Sequence, residues 1–127
     1  MKNLIDLTTI AELETFLANT NSRVKLLFKH SNSCPISSAA YDELARYLVS
    51  RVDNIPISHG LVIVQTAREV SNNIASRFQV EHQSPQAILL VDNEVTWHCS
   101  HRRITNESLQ AAIAAASAKL AIAVSQL

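Results

Sequence analysis

Apolar and polar positions along the chain alternate between helical and strand periods. Ile10, Leu13, Phe16 and Leu17 share one helical face behind Thr9-Ile10-Ala11-Glu12, which has capping-box spacing, so a first helix is expected over about Ile10 to Asn19. Val24 to Lys29 is an apolar run rich in strand formers and too short for an independent helix; it reads as a buried strand. Pro35 suits the first turn of a helix, and Ala39, Ala40, Leu44, Tyr47 and Leu48 form a stripe that carries it to about Ser50. Leu61 to Gln65 is the next buried strand. Thr66-Ala67-Arg68-Glu69 repeats the capping-box spacing ahead of Val70, Ile74 and Phe78, predicting a helix that ends near Gln79. Ala87 to Val91 and Val95 to His98 flank Asp92-Asn93, the pattern of an antiparallel hairpin, and Thr105 caps a last helix.

Helical crossovers imply parallel pairing and the hairpin adds an antiparallel edge. The order helix, strand, helix, strand, helix, strand, strand, helix is that of the thioredoxin fold. The expected architecture is α/β, a central mixed four-stranded sheet flanked by helices, with an extra N-terminal helix, in one domain spanning residues 1–127. Gly60 is the only glycine, which excludes Gly-rich phosphate loops. The stretch from Leu109 to Leu127 is nearly long enough to span a membrane. Gln110, Lys119 and Gln126 interrupt it, however, and Ala contributes little transfer energy, so a packed terminal helix is the better reading.

Charge and cysteine content narrow the function. Lys+Arg and Asp+Glu both number 11, so no basic field for nucleic acid is implied. Met1-Lys2-Asn3-Leu4-Ile5-Asp6 shows no secretory h-region, and a cytoplasmic location is expected. Cys34 and Cys99 are too few for a secreted disulfide framework.

Cys34 follows a strand and the polar run His30-Ser31-Asn32-Ser33 and precedes Pro35. That places its sulfur at a helix N-terminus, where free amides and the helix dipole favour the thiolate nucleophile, an effect that a protonated His30 would reinforce. Ser37 stands where a Cys-x-x-Cys motif has its second thiol. A single cysteine stops at a mixed disulfide and needs an outside thiol to release it. Ser84-Pro85 precedes the third strand, where the thioredoxin-fold element order carries a cis-proline loop facing the reactive cysteine; the alternative is an ordinary trans terminator, and the element order favours cis, with Ser84 and Gln86 as binding candidates. If Asp92 and Asn93 are the central turn residues, Ser100 lies opposite Pro85, and Trp97-His98-Cys99-Ser100-His101 returns to the same end of the sheet. Cys99 is then either a resolving thiol or a buried small hydrophobe. His30, His98, His101, Cys34 and Cys99 match no standard zinc spacing, so no metal is expected. His101, Arg102 and Arg103 form either a positive rim for an anionic substrate or a solvated loop.

Three blocks together carry a resemblance: Phe28-Lys29-His30-Ser31 with Cys34-Pro35-Ile36-Ser37; His82-Gln83-Ser84-Pro85-Gln86; and Trp97-His98 with Ser100-His101 and Ile104-Thr105. In this order they resemble the monothiol bacilliredoxins of the bacillithiol system, from about Leu7 to Leu120. The resemblance implies a thioredoxin fold and removal of bacillithiol, a cysteine-glucosamine-malate thiol, from S-thiolated client proteins. Cys34 would be the catalytic residue; His30, Pro35, Ser37, Ser84, Pro85, Gln86, His98, His101 and Arg102 would bind substrate. The small thiol is then a cosubstrate, no cofactor is tightly bound, and neither nucleic acid nor membrane is a partner. The family usually has an aromatic residue where this chain has Arg102 and a non-cysteine residue where it has Cys99. Two other functions compete: a non-enzymatic redox sensor or adaptor, and an iron–sulfur carrier of the monothiol-glutaredoxin type.

Overall fold

The computed structural model describes residues 4–51 and 55–125, with side chains to residue 121; Met1–Asn3 and the last two residues of the Ala-rich run, Gln126 and Leu127, lie outside it. Five strands form one sheet: β1 (Leu4–Asp6), β2 (Val24–His30), β3 (Ile57–Ile63), β4 (Gln86–Val91) and β5 (Glu94–Ser100). Four helices accompany them: α1 (Ile10–Ala18), α2 (Pro35–Ser50), α3 (Arg68–Phe78) and α4 (Asn106–Ser125), the last preceded by a 3₁₀ turn at His101–Arg103. The strand order is β1-β3-β2-β4-β5, with β1, β3 and β2 parallel and β4 and β5 antiparallel to their neighbours.

The fifth strand, β1, adds to the expected four; three residues carry no readable period, and they are ordered by pairing with His59, Gly60 and Leu61. β3 begins four residues earlier than its apolar run, at Ile57, because ladder pairing with β2 from Val24 onward carries the polar Ser58 and His59. His59 is buried there with its Nε2 2.9 Å from the Tyr47 hydroxyl. Gly60 is required by close packing, since a Cβ would lie 2.7 Å from Leu7 Cδ1.

Alternation along the strands divides the core into two layers. Val24, Leu26, Phe28, Ala87 and Leu89 pack against Ala40, Leu44 and Tyr47 of α2 and Leu109, Ala112, Ile113 and Ala116 of α4. Leu27, Val62, Ile88 and Leu90 pack on the other face against Leu13, Phe16 and Leu17 of α1 and Val70 and Ile74 of α3. The α1 capping box forms as expected, with Thr9 Oγ1 accepting from the Glu12 amide. The second capping box does not form. Ala67 is the N-cap of α3, while the Thr66 hydroxyl turns back 3.4 Å to the Ile63 carbonyl.

Asp92 and Asn93 make the hairpin turn with φ of 52° and 62°, and Arg23 holds Asp92 through two contacts of 2.8 and 2.7 Å. The expected register holds only beside the turn, at Leu90–Val95 and Val91–Glu94. A bulge at Thr96 then moves every later pair by one, so Ser100 lies opposite Gln86 rather than Pro85. Because side chains alternate across a strand, this one-residue shift sends His98 and Cys99 to opposite faces from those the unbulged register assigns. No described helix is long and apolar enough to cross a membrane.

Candidate functional site

Lys29 of β2 pairs with Gln86 of β4, which pairs with Ser100 of β5. This row brings the ends of three segments together: the loop after β2 that leads to Cys34, the loop before β4 and the turn after β5. Cys34 is the N-cap of α2, partly exposed, in extended conformation (φ −111°, ψ 122°), and its sulfur caps no backbone amide. The amides of Ile36 and Ser37 have no intrahelical acceptor and Pro35 has no N–H, so a net positive field is directed at the sulfur's position.

The second thiol position is closed off. Ser37 is fully buried, its Oγ accepting from the Ser31 amide at 2.8 Å and lying 3.2 Å from His30 Nδ1. With Ser37 as donor to Nδ1, His30 carries its proton on Nε2. Its ring lies tilted against Tyr41 with centroids 4.9 Å apart, and burial lowers its pKa, which favours the neutral imidazole. The lowered pKa works against a protonated His30 as reinforcement for the Cys34 thiolate, and the ring serves to shape the loop. Ser37 likewise fastens the loop and is out of reach of substrate.

Gln65 was not foreseen as a site residue. Its Nε2 donates to Ser31 Oγ (2.7 Å) and Ser33 Oγ (3.1 Å), and its Oε1 accepts from the Asn32 amide (3.2 Å). It clamps all three residues before Cys34. Nothing in its local sequence distinguishes it from a strand-end glutamine, because the clamp exists only once β3 lies beside β2.

Ser84-Pro85 is cis, as expected. Pro85 is buried and its carbonyl accepts from the His101 amide at 3.0 Å, a latch that holds His101 at a φ of 56°. Ser84 Oγ is buried without a partner. Gln86 is 1% exposed and its Nε2 donates to the Glu81 carbonyl at 3.0 Å, so its side chain braces the loop rather than meeting substrate. His98 lies opposite Ile88, on the sheet face away from α2, and does not join Cys34; the Thr96 bulge is the reason.

His101 and Arg102 form one wall of a groove of about 270 Å³ whose floor is Pro35, Ile36, Ala39 and Ala40, beginning one residue from Cys34. Glu43, also on the groove, is engaged by the Asn106 amide and by Arg46. Arg102 and Arg103 are exposed and line an adjoining depression with Ile36.

Cys99 sits opposite Ala87 on the α2/α4 face, packed against the core. Burial pushes its thiol up to about 11, although Arg103 and a hydrogen bond with Ser108 oppose the rise. Neither cysteine is in a disulfide. Among the described residues no group of three His, Cys, Asp or Glu side chains is placed to hold a metal ion.

A partly exposed cysteine at the head of α2 and a cis-proline ahead of β4, on a mixed sheet flanked by helices, place the chain among thioredoxin-fold proteins. A solved chain described as a candidate oxidoreductase with a thioredoxin fold superposes with a TM-score of 0.77 at 33% identity, covering 87% of this chain and 94% of that one. A mutant thioredoxin from Halobacterium salinarum (TM-score 0.63, 15% identity, 85% of each chain) and mitochondrial thioredoxin 3 from Saccharomyces cerevisiae (TM-score 0.63, 12% identity, 86% and 92%) share the fold. Residues 5–109 match the family model of the monothiol bacilliredoxin BrxC, and the chain belongs to that family. Fold and family together support a thiol redox function.

Proposed function

We propose that the protein is a monothiol thiol-disulfide oxidoreductase that removes bacillithiol, or a similar anionic small thiol, from S-thiolated client proteins. The observation that carries this reading is Cys34 at the head of α2 with a buried, hydrogen-bonded Ser37 in place of a second thiol. The Cys34 thiolate attacks the small-thiol sulfur of the client mixed disulfide. One S–S bond forms as the other breaks, the client departs as its thiolate, and the small thiol stays on Cys34. A second small thiol then attacks this adduct, restoring Cys34 and leaving as the symmetrical disulfide. The second small thiol is the reductant of this cycle, and no tightly bound cofactor is needed.

The groove beside Pro35 favours a small anionic adduct. Its apolar floor and its His101–Arg102 wall suit a thiol whose non-reacting part bears carboxylates, as the malate of bacillithiol does. The extended client segment would lie along Ser84 and Pro85. The cytoplasm, where such adducts form and reductants are available, is the compartment that fits this chemistry.

A bacillithiolated client incubated with reduced protein tests the reading by non-reducing intact mass. The expected result is free client together with protein carrying one bacillithiol on Cys34. No transfer with protein in excess would sink it and leave the redox sensor or adaptor in its place.

A further inference from the structure

Lys29 is fully buried on the α1/α3 face of the sheet, and no carboxylate among the described residues pairs with it. An isolated buried ammonium is costly, so its hydrogen bonds define what it is for. Its Nζ donates to the Ser71 carbonyl of α3 at 3.1 Å and lies 3.2 Å from Nδ1 of His82, which is also 3.2 Å from Ser71 Oγ. His82 is the third residue before Pro85. Although the ring is largely exposed, partial desolvation and the positive charges of Lys29 and Arg68 lower its pKa, which favours the neutral ring that can accept at Nδ1. Lys29's cross-strand partner Gln86 reaches into the same loop at the Glu81 carbonyl. Two adjacent buried side chains thus prop up two consecutive loop residues, and beyond them the His101 amide latches Pro85.

We propose that Lys29 is a positioning residue for client docking: through His82 it sets the height and angle of the Ser84-Pro85 edge on which an extended client segment lies. This inference rests on thiol exchange at Cys34 but not on which small thiol is exchanged. Lys29 touches no reacting atom. Its removal therefore weakens the docking of a polypeptide and spares the reactivity of Cys34 toward a disulfide that has no chain to dock.

Two probes separate these effects in the full-length reduced protein. One is a short peptide whose cysteine is disulfide-bonded to thionitrobenzoate; the other is the symmetrical dithiobis(nitrobenzoate). In both, the Cys34 thiolate displaces one thionitrobenzoate anion, which is followed by its absorbance. Lys29→Met is expected to raise the half-saturating peptide concentration about ten-fold, the equivalent of one lost hydrogen bond, with the limiting rate and the small-probe rate within about two-fold of wild type. His82→Ala, at an exposed position, should do the same and serves if Lys29→Met does not fold. The double variant should be no worse than either single one. Unchanged half-saturation in both variants, or a small-probe rate that falls as far as peptide transfer, overturns the inference. A wild type that reacts with neither probe, like Cys34→Ser, instead shows that the Cys34 reading itself has failed.

Discussion

Cys34 and Cys99 are chemically the same residue in opposite surroundings. Cys34 stands at the head of α2 just past the end of the central strand β2, with helix amides directed at it and Gln65 holding the loop before it. Cys99 is one residue from the end of β5, packed on the α2/α4 core, with its thiol pushed up to about 11 by burial. A resolving thiol must be a thiolate near ambient pH, and burial works against that at Cys99 by pushing its thiol up. A desolvated thiol stays neutral.

The most severe way to break the comparison is to exchange the sulfurs for oxygens. Cys34→Ser should lower single-turnover transfer roughly a thousand-fold, to background, because a serine hydroxyl is not ionised at neutral pH, whereas Cys99→Ser should keep most of it. Mass spectrometry of a bacillithiolated client mixed with each variant reads this out. Equal loss in both would make Cys99 part of the reaction.

Alkylation sharpens the same contrast. At pH 7 iodoacetamide should modify Cys34 well ahead of Cys99, and labelling of Cys99 should climb only as the pH approaches about 11. Since the Arg103 guanidinium opposes the rise, Arg103→Ala should move Cys99 labelling to still higher pH. Peptide mapping after timed quenching measures both sites at once.

The buried serine that separates this protein from a dithiol can be tested by stability. Ser37→Ala removes the acceptor for the Ser31 amide and the partner of His30, which should cost about 1–3 kcal/mol in denaturant unfolding. Unchanged stability would mean that the loop before Cys34 is held by Gln65 alone.

The smallest expected effect is acid sensitivity. His30 and His82 both have pKa values lowered in the folded state, chiefly by burial. Below the ordinary histidine value of about 6.5 the unfolded chain takes up protons that the folded chain resists, so stability should fall as the pH drops through this range. Urea midpoints between pH 7 and pH 5 should show the decline, and His82→Asn should reduce it.

Much of this organisation was legible from residue order alone. The α1 capping box, the apolar run of β2, Pro35 opening α2 and Asp92-Asn93 at the turn follow from local rules that operate within a few residues, and the cis Ser84-Pro85 bond from its place in the element order. The same rules mistook Thr66 for the cap of α3, because they cannot see the Ile63 carbonyl competing for its hydroxyl. They also missed β1, whose three residues become a strand only when β3 offers partners.

Sequence by itself determined that Cys34 stands directly ahead of Pro35 at a helix start, and that Ser37 leaves it without a neighbouring thiol. Both are properties of adjacent residues. Tertiary structure decided everything that depends on what lies across the sheet. One extra residue at Thr96 shifted the β5 register, sending His98 away from the site and Cys99 into the core. Packing lowered the pKa of His30, turned Ser37 and Gln86 into braces, and set Lys29 beneath the proline loop. The physical reason is that burial and long-range hydrogen bonding set ionisation and side-chain direction, and neither exists until distant segments are brought together.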